Sequence, residues 1–471
     1  MYLKMDRNRW IKKQKELLRG KPRAGIKPKR KYLHFDNRIS KLTPEILSGV
    51  FDLSSVARHS FYPFIGYTQT SRRRKKTEKF TGYKKKERPI RYAAHYDTLI
   101  FSWYAYQLSS LYEQQLRKYD LEQTVLAYRS GNGSNVDHAC LAFRNIQLMR
   151  NANVVCADIS GFFDNLAHVK LKERWLALLK TEEPSLQKLP DDHYKVFRAI
   201  TRFSVVDILK LNQELGWTKK RIKKEKPLRL CSAQEFRDKI TDVCINKKNY
   251  GIPQGSSMSA FLANMYMLEF DKQIKEAMEQ RNGEYYRYSD DIFLATPKNI
   301  SISVLENLLS TALEPIRLTA NEDKKETYFL REEHGIPTIR NAKTGNKKFL
   351  NYLGMAFDGR RVLLRHSSLA KYQRKAIAFV RSALRYHFKK NKPIPKRETN
   401  QRFTRLGKQN FQSYIQRCAI TLKKYGFSSV ALKRQASDFF VHKAFRNKQL
   451  LETVRQQVLR RKAKIAKRIT M

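Results

Sequence analysis

The stretch Tyr285-Tyr286-Arg287-Tyr288-Ser289-Asp290-Asp291-Ile292-Phe293-Leu294 decides the fold. Aromatic and β-branched residues flank Ser-Asp-Asp on both sides, which predicts two strands joined by a hairpin with both acids at its turn. Adjacent acids are ordinary at a solvated turn, so their meaning comes from what surrounds them. Upstream, Val154-Val155-Cys156-Ala157-Asp158 reads as a short strand ending in a carboxylate. A turn at Gly161 and a helical pattern through Val169, Leu171, Trp175, Leu176 and Leu179 follow it.

Further outward, Gly251-Ile252-Pro253-Gln254-Gly255 leads into a helix that begins near Ser257 or Ser259, with Phe261, Met265 and Leu268 on one face. After the hairpin, Val304, Leu305, Leu308, Leu309 and Leu313 predict another helix, and Phe349 to Met355 reads as a strand. Toward the N-terminus, Leu99, Ile100, Trp103, Tyr106, Leu108 and Leu111 recur at helical spacing between Tyr96 and Tyr119. A second helix through Ala139, Phe143, Ile146 and Leu148 follows the turn Ser130 to Ser134. The first 85 residues, rich in Lys, Arg, Gly and Pro, read as irregular, RNA-facing backbone. The last hundred or so read as a helical, nucleic-acid-gripping region.

Three acids at neighbouring strand ends make an oxygen-rich cage for two hard cations about 3.5–4 Å apart, as nucleotidyl transfer requires. The formal net charge of +53, from 96 Lys and Arg against 43 Asp and Glu, predicts a polyanionic partner. The basic residues are spread along the chain, including Lys12, Lys13, Lys21, Arg23, Arg72 to Lys76, Lys84 to Lys86, Lys219 to Lys226 and Arg455 to Lys467. That spread suits wrapping around a duplex or structured RNA, although any one run is equally a solvated basic loop. The five cysteines show no C-x-x-C pair and no His at metal spacing, which argues against zinc and fits a reducing compartment. No apolar stretch approaches the roughly 20 residues that span a bilayer. The expectation is a cytoplasmic protein, bacterial by the resemblance below, with no membrane contact.

The ordered set of segments resembles the bacterial reverse transcriptases. Ala157-Asp158-Ile159-Ser160-Gly161-Phe162-Phe163-Asp164-Asn165-Leu166 is similar to their first palm motif, and Gly251 to Ala260 to their second. Tyr288-Ser289-Asp290-Asp291 is similar to their catalytic signature, Asn321 with Lys324 or Lys325 to the fourth motif, and Asn351-Tyr352-Leu353-Gly354 to the primer grip. In the fingers, Arg88-Pro89-Ile90 and Tyr128-Arg129-Ser130-Gly131 resemble the two N-terminal motifs. The likeness covers about Lys84 to Phe357. It implies an α+β right-hand polymerase with fingers, a ferredoxin-like βαββ palm and a helical thumb. The division expected is a basic extension over 1–85, fingers and palm over 86–357 with a basic insert at 181–250, and thumb with basic tail over 358–471.

The same resemblance assigns roles. Asp158 and Asp290 would bridge two Mg²⁺ ions, with Asp291 supporting and the Ile159 carbonyl an added ligand. Phe163 would lie under the incoming sugar and exclude a 2′-hydroxyl, so that dNTPs are the substrates; it also reads as an ordinary core aromatic. Arg129 and Arg88 would contact the triphosphate, with a salt bridge or template phosphate as the other reading of each. Gln254 and Gly255 would line the nascent base pair, and Lys324 or Lys325 would protonate pyrophosphate or stand as a surface lysine. Asp164 and Asn165 read as caps of the following helix.

Ala260, where retron and group II intron enzymes usually carry Pro, resembles the abortive-infection and defence-associated branch. That branch implies a cDNA copied from an associated noncoding RNA in antiphage defence. Three alternatives stay open: a group II intron maturase or retron-like enzyme, template-independent or protein-primed synthesis, and an RNA-binding protein with a degenerate palm. The sequence names no protein partner.

Overall fold

A computed structural model describes residues 6–19, 32–77, 80–129, 131–390 and 410–441. The chain opens with helices α1 (Arg7–Arg19), α2 (Pro44–Phe51) and α3 (Leu53–Arg58), then a long hairpin of β1 (Phe64–Thr77) and β2 (Phe80–Tyr92). The expectation of irregular backbone before residue 85 is therefore corrected, and the boundary drawn there falls inside β2. Helix α1 escapes notice in the sequence because few of its residues are apolar, but one of them decides its position. Trp10 is 1% exposed, edge-on to Trp103 and Phe51 at centroid distances of 5.5 and 5.7 Å. Burial of a large apolar side chain contributes on the order of 1.5–3 kcal/mol, enough to dock a short helix. The basic stretch holding Lys21, Arg23 and the Lys-Pro-Lys-Arg run at 27–30 lies outside the described residues.

Helices α4 (His95–Lys118) and α5 (Asn135–Leu148) follow as expected, the second closed by a capping box between Ser134 and Asp137. Strand β3 (Ala152–Asp158) leads to α6 (His168–Leu179) and α7 (Asp191–Thr201). Then come β4 (Ser204–Asp207), α8 (Ile208–Glu214), α9 (Lys219–Glu225), α10 (Ala233–Lys239) and β5 (Cys244–Ile245). The segment 181–250 is built into the molecule: Val196, Phe197 and Ile200 of α7 share the main core, and β4 pairs in parallel with β1 at Phe64–Gly66.

Helices α11 (Ser259–Tyr266) and α12 (Leu268–Glu279) precede the hairpin β6 (Glu284–Tyr288) and β7 (Asp291–Pro297), after which come α13 (Ile302–Leu313), β8 (Glu326–Glu333) and β9 (Ile336–Asn341). The chain closes with β10 (Leu350–Tyr352), β11 (Met355–Phe357), β12 (Val362–Leu364), α14 (His366–Lys390), α15 (Phe411–Lys424) and α16 (Val430–Val441). Three sheets result, in the orders β2-β1-β4-β5, β6-β7-β3-β8-β9 and β10-β11-β12.

In the five-stranded sheet β3 lies between β7 and β8, antiparallel to both. The order β8-β3-β7-β6, with helices between β3 and β6 and between β7 and β8, is the ferredoxin-like arrangement expected for a palm. The whole is a mixed α+β right-hand polymerase fold. Among the described residues no helix is long and apolar enough to cross a membrane, and the Arg455–Lys467 run lies outside them.

Candidate active site

Sheet pairing alone gathers the acids. Asp158, last residue of β3, is the register partner of Asp291, first residue of β7. Between β6 and β7 the chain reverses at Ser289, whose φ of +62° places a non-glycine residue in the left-handed region. The Ile159 N–H donates to the Asp290 carbonyl at 3.0 Å, and the Asn321 N–H donates to the Asp158 carbonyl at 2.7 Å. The three acids thus stand on a backbone laced from both sides.

What holds the strained turn is a network that the sequence reading missed. Arg287 is fully buried and makes a bidentate pair with Asp271, both contacts at 2.6 Å. A further guanidinium N–H donates to the Ser289 carbonyl at 3.1 Å and to Asn264 Oδ1 at 3.2 Å. The Tyr285 hydroxyl donates to Asp271 at 2.6 Å. Asn264 in turn donates to the Ala127 carbonyl at 2.8 Å, and Tyr128 and Ser289 share a hydroxyl contact at 3.0 Å. One signal was available: Asp271 falls in line with Leu268, Ile274 and Met278 on the buried face of α12, where an acid needs a partner.

Electrostatics mark the same spot. Asp291 is exposed at the surface, yet many protein atoms surround its carboxyl; this burial, then the charges of Asp290 and Asp158, push it up to about 7. Asp290 is raised too, by burial first and by Asp158 among its neighbours. Lys324 meets this excess of negative charge by pairing with Asp158. Among the described residues no three His, Cys, Asp or Glu side chains converge tightly enough to cage an ion. The donor set nonetheless fits a hard cation in kind, since it is all carboxylate oxygen and a lysine ammonium already stands on one member.

The flanking residues sort into two groups. Phe163 is half-buried with its ring 5.6 Å from that of Phe162, and its carbonyl accepts from the Ile252 N–H at 2.9 Å. That bond ties the first palm motif to the Gln254–Gly255 loop. The Gln254 carbonyl accepts from the Arg91 N–H at 2.8 Å. At Gly255, with φ of +123°, a Cβ would stand 2.7 Å from the Arg91 carbonyl, so the close approach it permits is to β2 of this chain. Arg88, half-buried on β2 opposite Gln69, stands three residues before that contact.

The remaining residues singled out in the sequence take partners within the chain. Arg129 forms a bidentate pair with Glu113 at 2.9 and 2.7 Å and donates to the Val125 carbonyl at 2.8 Å, so its guanidinium braces the turn after α4, which is the salt-bridge reading of this residue. Lys325 bonds Glu322 at 2.7 Å and Glu306 at 3.1 Å, while Lys324 pairs with Asp158. Asp164 and Asn165 do not cap α6: its N-cap is Ala167, and Asn165 Nδ2 donates to the Ser160 carbonyl at 3.0 Å.

Several solved structures are similar in fold. Apo telomerase from Candida tropicalis is 14% identical with a TM-score of 0.38, over 63% of this chain and 48% of that one. Telomerase from Candida albicans in complex with a TWJ fragment of telomeric RNA is 12% identical with a TM-score of 0.35, over 69% and 51%. The Sicinivirus 3Dpol RNA-dependent RNA polymerase is 12% identical with a TM-score of 0.37, over 84% and 71%. The chain spans about half the length of these telomerase chains. No curated protein matches it. The family profile described as reverse transcriptase (RNA-dependent DNA polymerase) matches residues 75–357, more than half of the chain and all of the acids, the hairpin and the Gln254–Gly255 loop. The chain belongs to the reverse transcriptase (RNA-dependent DNA polymerase) family.

Proposed function

We propose that the chain copies RNA into DNA, adding deoxynucleotides to a primer 3′-end. The observation that carries this reading is the pairing of Asp158 with Asp291 across β3 and β7, with Asp290 at the turn beside them. In the reaction the primer 3′-oxygen bonds to the α-phosphorus, the bond to the bridging oxygen breaks, and pyrophosphate leaves. Asp158 and Asp290, with Asp291 and the Ile159 carbonyl in support, would hold two Mg²⁺ ions. Bound there, the ions lower the pKa of the 3′-hydroxyl and neutralise charge on the triphosphate.

The chain's own groups supply the rest. Lys324 exchanges its Asp158 partner for the substrate phosphates, where its ammonium proton is available to pyrophosphate. Phe163 lies under the sugar and selects dNTPs, and Gln254 and Gly255 line the base pair, held there by Arg91. Arg88 reaches the triphosphate from β2. In this reading the β2-β1-β4-β5 sheet belongs to the fingers, the five-stranded sheet is the palm, and α14 to α16 belong to the thumb. The resemblance at Ala260 extends the proposal to an associated noncoding RNA as template, a cDNA product and a bacterial, cytoplasmic role in antiphage defence.

The test is primer extension on an RNA template with dNTPs against rNTPs, for the wild type and Asp290→Asn. DNA made only by the wild type and only from dNTPs is the expected result, and sequencing of RNA and DNA recovered with the chain from its host identifies the template. Extension by Asp290→Asn at the wild-type rate would sink the reading.

A further inference from the structure

Helix α9 has the sequence Lys219-Lys220-Arg221-Ile222-Lys223-Lys224-Glu225, and its charges work against it. Lys219 and Lys223, and Lys220 and Lys224, are like-charged pairs four residues apart, which repel along one helix face. Lys219 and Lys220 occupy the first turn, which holds no acid to offset them, while Lys223 and Lys224 stand at the end of the helix that the dipole favours for cations. Glu225 is committed to Arg221 at 2.9 Å, and among the described residues no acid pairs with the four lysines. All four are exposed, as are Lys226 and Arg229 just beyond.

This is nevertheless a fixed surface. Trp217 Nε1 donates to the Leu230 carbonyl at 2.7 Å, and the Arg221 guanidinium covers the Trp217 ring at 4.3 Å. The Leu230 N–H donates to the His34 carbonyl at 2.8 Å, and Leu230 joins Phe35, Ile65, Val206, Leu211 and Ile240 in a core of their own. A polar run that is badly charged for its own stability, yet rigidly mounted, is a site whose counter-charge comes from outside.

We propose that the exposed lysines of α9 anchor the phosphate backbone of a double-helical segment of a folded RNA. The choice of RNA rests on the reading of the chain as an RNA-copying polymerase. Lysines are point charges suited to phosphate and carry no base readout. Helix α9 contains no aromatic residue, and Trp217 beside it is covered by Arg221, so no platform is offered on which unpaired bases would stack. A duplex presents phosphates outward and needs no such platform. Helix α9 lies in the connection between β4 and β5, whereas Asp158 and Asp291 stand on β3 and β7 of a different sheet, so it holds the RNA without taking part in the reaction.

The test uses the full chain and a perfectly paired stem-loop RNA, with binding followed by anisotropy across a salt series. The variant is Lys219→Gln/Lys220→Gln/Lys223→Gln/Lys224→Gln, which spares Arg221 and the Trp217 anchor. Affinity should fall about ten-fold at moderate salt, and the plot of log affinity against log salt should become shallower by about 3. The same four positions changed to Arg should bind as wild type, extension of a short template–primer should be unchanged in both variants, and the melting temperature of the Gln variant should hold or rise as the like-charge repulsion is removed. An unchanged affinity and salt slope overturns the proposal, as does an equal loss for an unstructured single-stranded RNA. If the wild type extends no primer at all, the polymerase reading fails while the binding series still decides the anchor.

Discussion

At the ends of β3 and β7 three carboxylates are brought together by strand register, while on α9 four lysines share a helix that their charges weaken. Both regions concentrate one sign of charge, but in different media. The palm acids sit among protein atoms, where Asp291 is driven up to about 7 and Lys324 is drawn onto Asp158. The α9 lysines face water, where salt screens them within about 10 Å. The difference teaches what each place is suited to recognise: a rigid, partly buried cluster suits a small cation at fixed points, and an exposed one suits an extended polyanion met through many loose contacts.

Removal of one palm charge breaks the comparison most forcefully. Asp290→Asn should lower primer extension on the order of 10³-fold, the loss expected when a group that stabilises developing charge is removed. The same change relieves repulsion from Asp158, so the melting temperature should hold or rise. A variant that loses activity and unfolds together would show that Asp290 serves the fold and not the reaction.

The next largest effect concerns the framework under the acids. Arg287 and Asp271 are both fully buried, and removal of one partner leaves the other charged and unpaired. Asp271→Asn or Arg287→Met should each cost about 3–5 kcal/mol in urea unfolding, and the double variant should recover much of that loss. Fully additive losses would mean that the two side chains are not coupled. Activity should fall most in Arg287→Met, where the Ser289 carbonyl loses the donor that holds the turn, and less in Asp271→Asn, where Arg287 keeps that bond but loses its anchor.

The acids of this site could be read from the sequence, and their support could not. Asp158, Asp290 and Asp291 each end or begin a local hydrophobic run, and the helices at His95–Lys118 and Asn135–Leu148 repeat their pattern over several turns. Local periodicity carries that information. Arg287 and Asp271 lie on different elements, and their pairing exists only once α12 packs beneath β6. The acceptor of Arg129, Glu113, lies on the far side of a turn, so the sequence leaves the salt-bridge and triphosphate readings side by side. Helix α1 is dominated by basic residues, so Trp10 and Gln14 give too sparse a pattern to stand out. The insert was legible as charge but not as structure, since β4 finds its partner in β1 about 140 positions earlier in the chain.

A gentler perturbation loosens the mount of α9 and leaves the palm alone. His34 is buried; its Nδ1 accepts from the Phe35 N–H at 2.9 Å and its Nε2–H donates to the Tyr92 carbonyl at 3.3 Å, so the ring is neutral. Burial, with His95 nearby, holds its pKa at about 3 against an ordinary value of 6.5. With the folded value below the unfolded one, the stabilisation is complete above pH 6.5 and is lost as pH falls toward the folded value. Unfolding free energy should drop by about 2 kcal/mol from this group between pH 6.5 and about pH 5. Because the His34 carbonyl receives the Leu230 N–H, the protection factor of the Leu230 amide, taken against the intrinsic exchange rate at each pH, should fall over the same interval. A flat stability profile across it would remove His34 from the mount.

The smallest effect discriminates most sharply between the sequence reading and the structure. If Arg129 met the triphosphate, Arg129→Lys would raise KM for dNTPs, because a lysine keeps the charge and loses the bidentate fork. The structure places that fork on Glu113, with the Arg129 side chain 8% exposed, and places the neighbouring Tyr128 hydroxyl on Ser289 at 3.0 Å. Arg129→Lys should therefore leave KM within about two-fold and lower kcat several-fold, as a weaker brace lets Tyr128 drift from the hairpin turn. A ten-fold rise in KM at constant kcat would return Arg129 to the nucleotide. Glu113→Gln separates the two cases again: it touches no substrate in either reading, and only a bracing role makes it reproduce the loss in kcat.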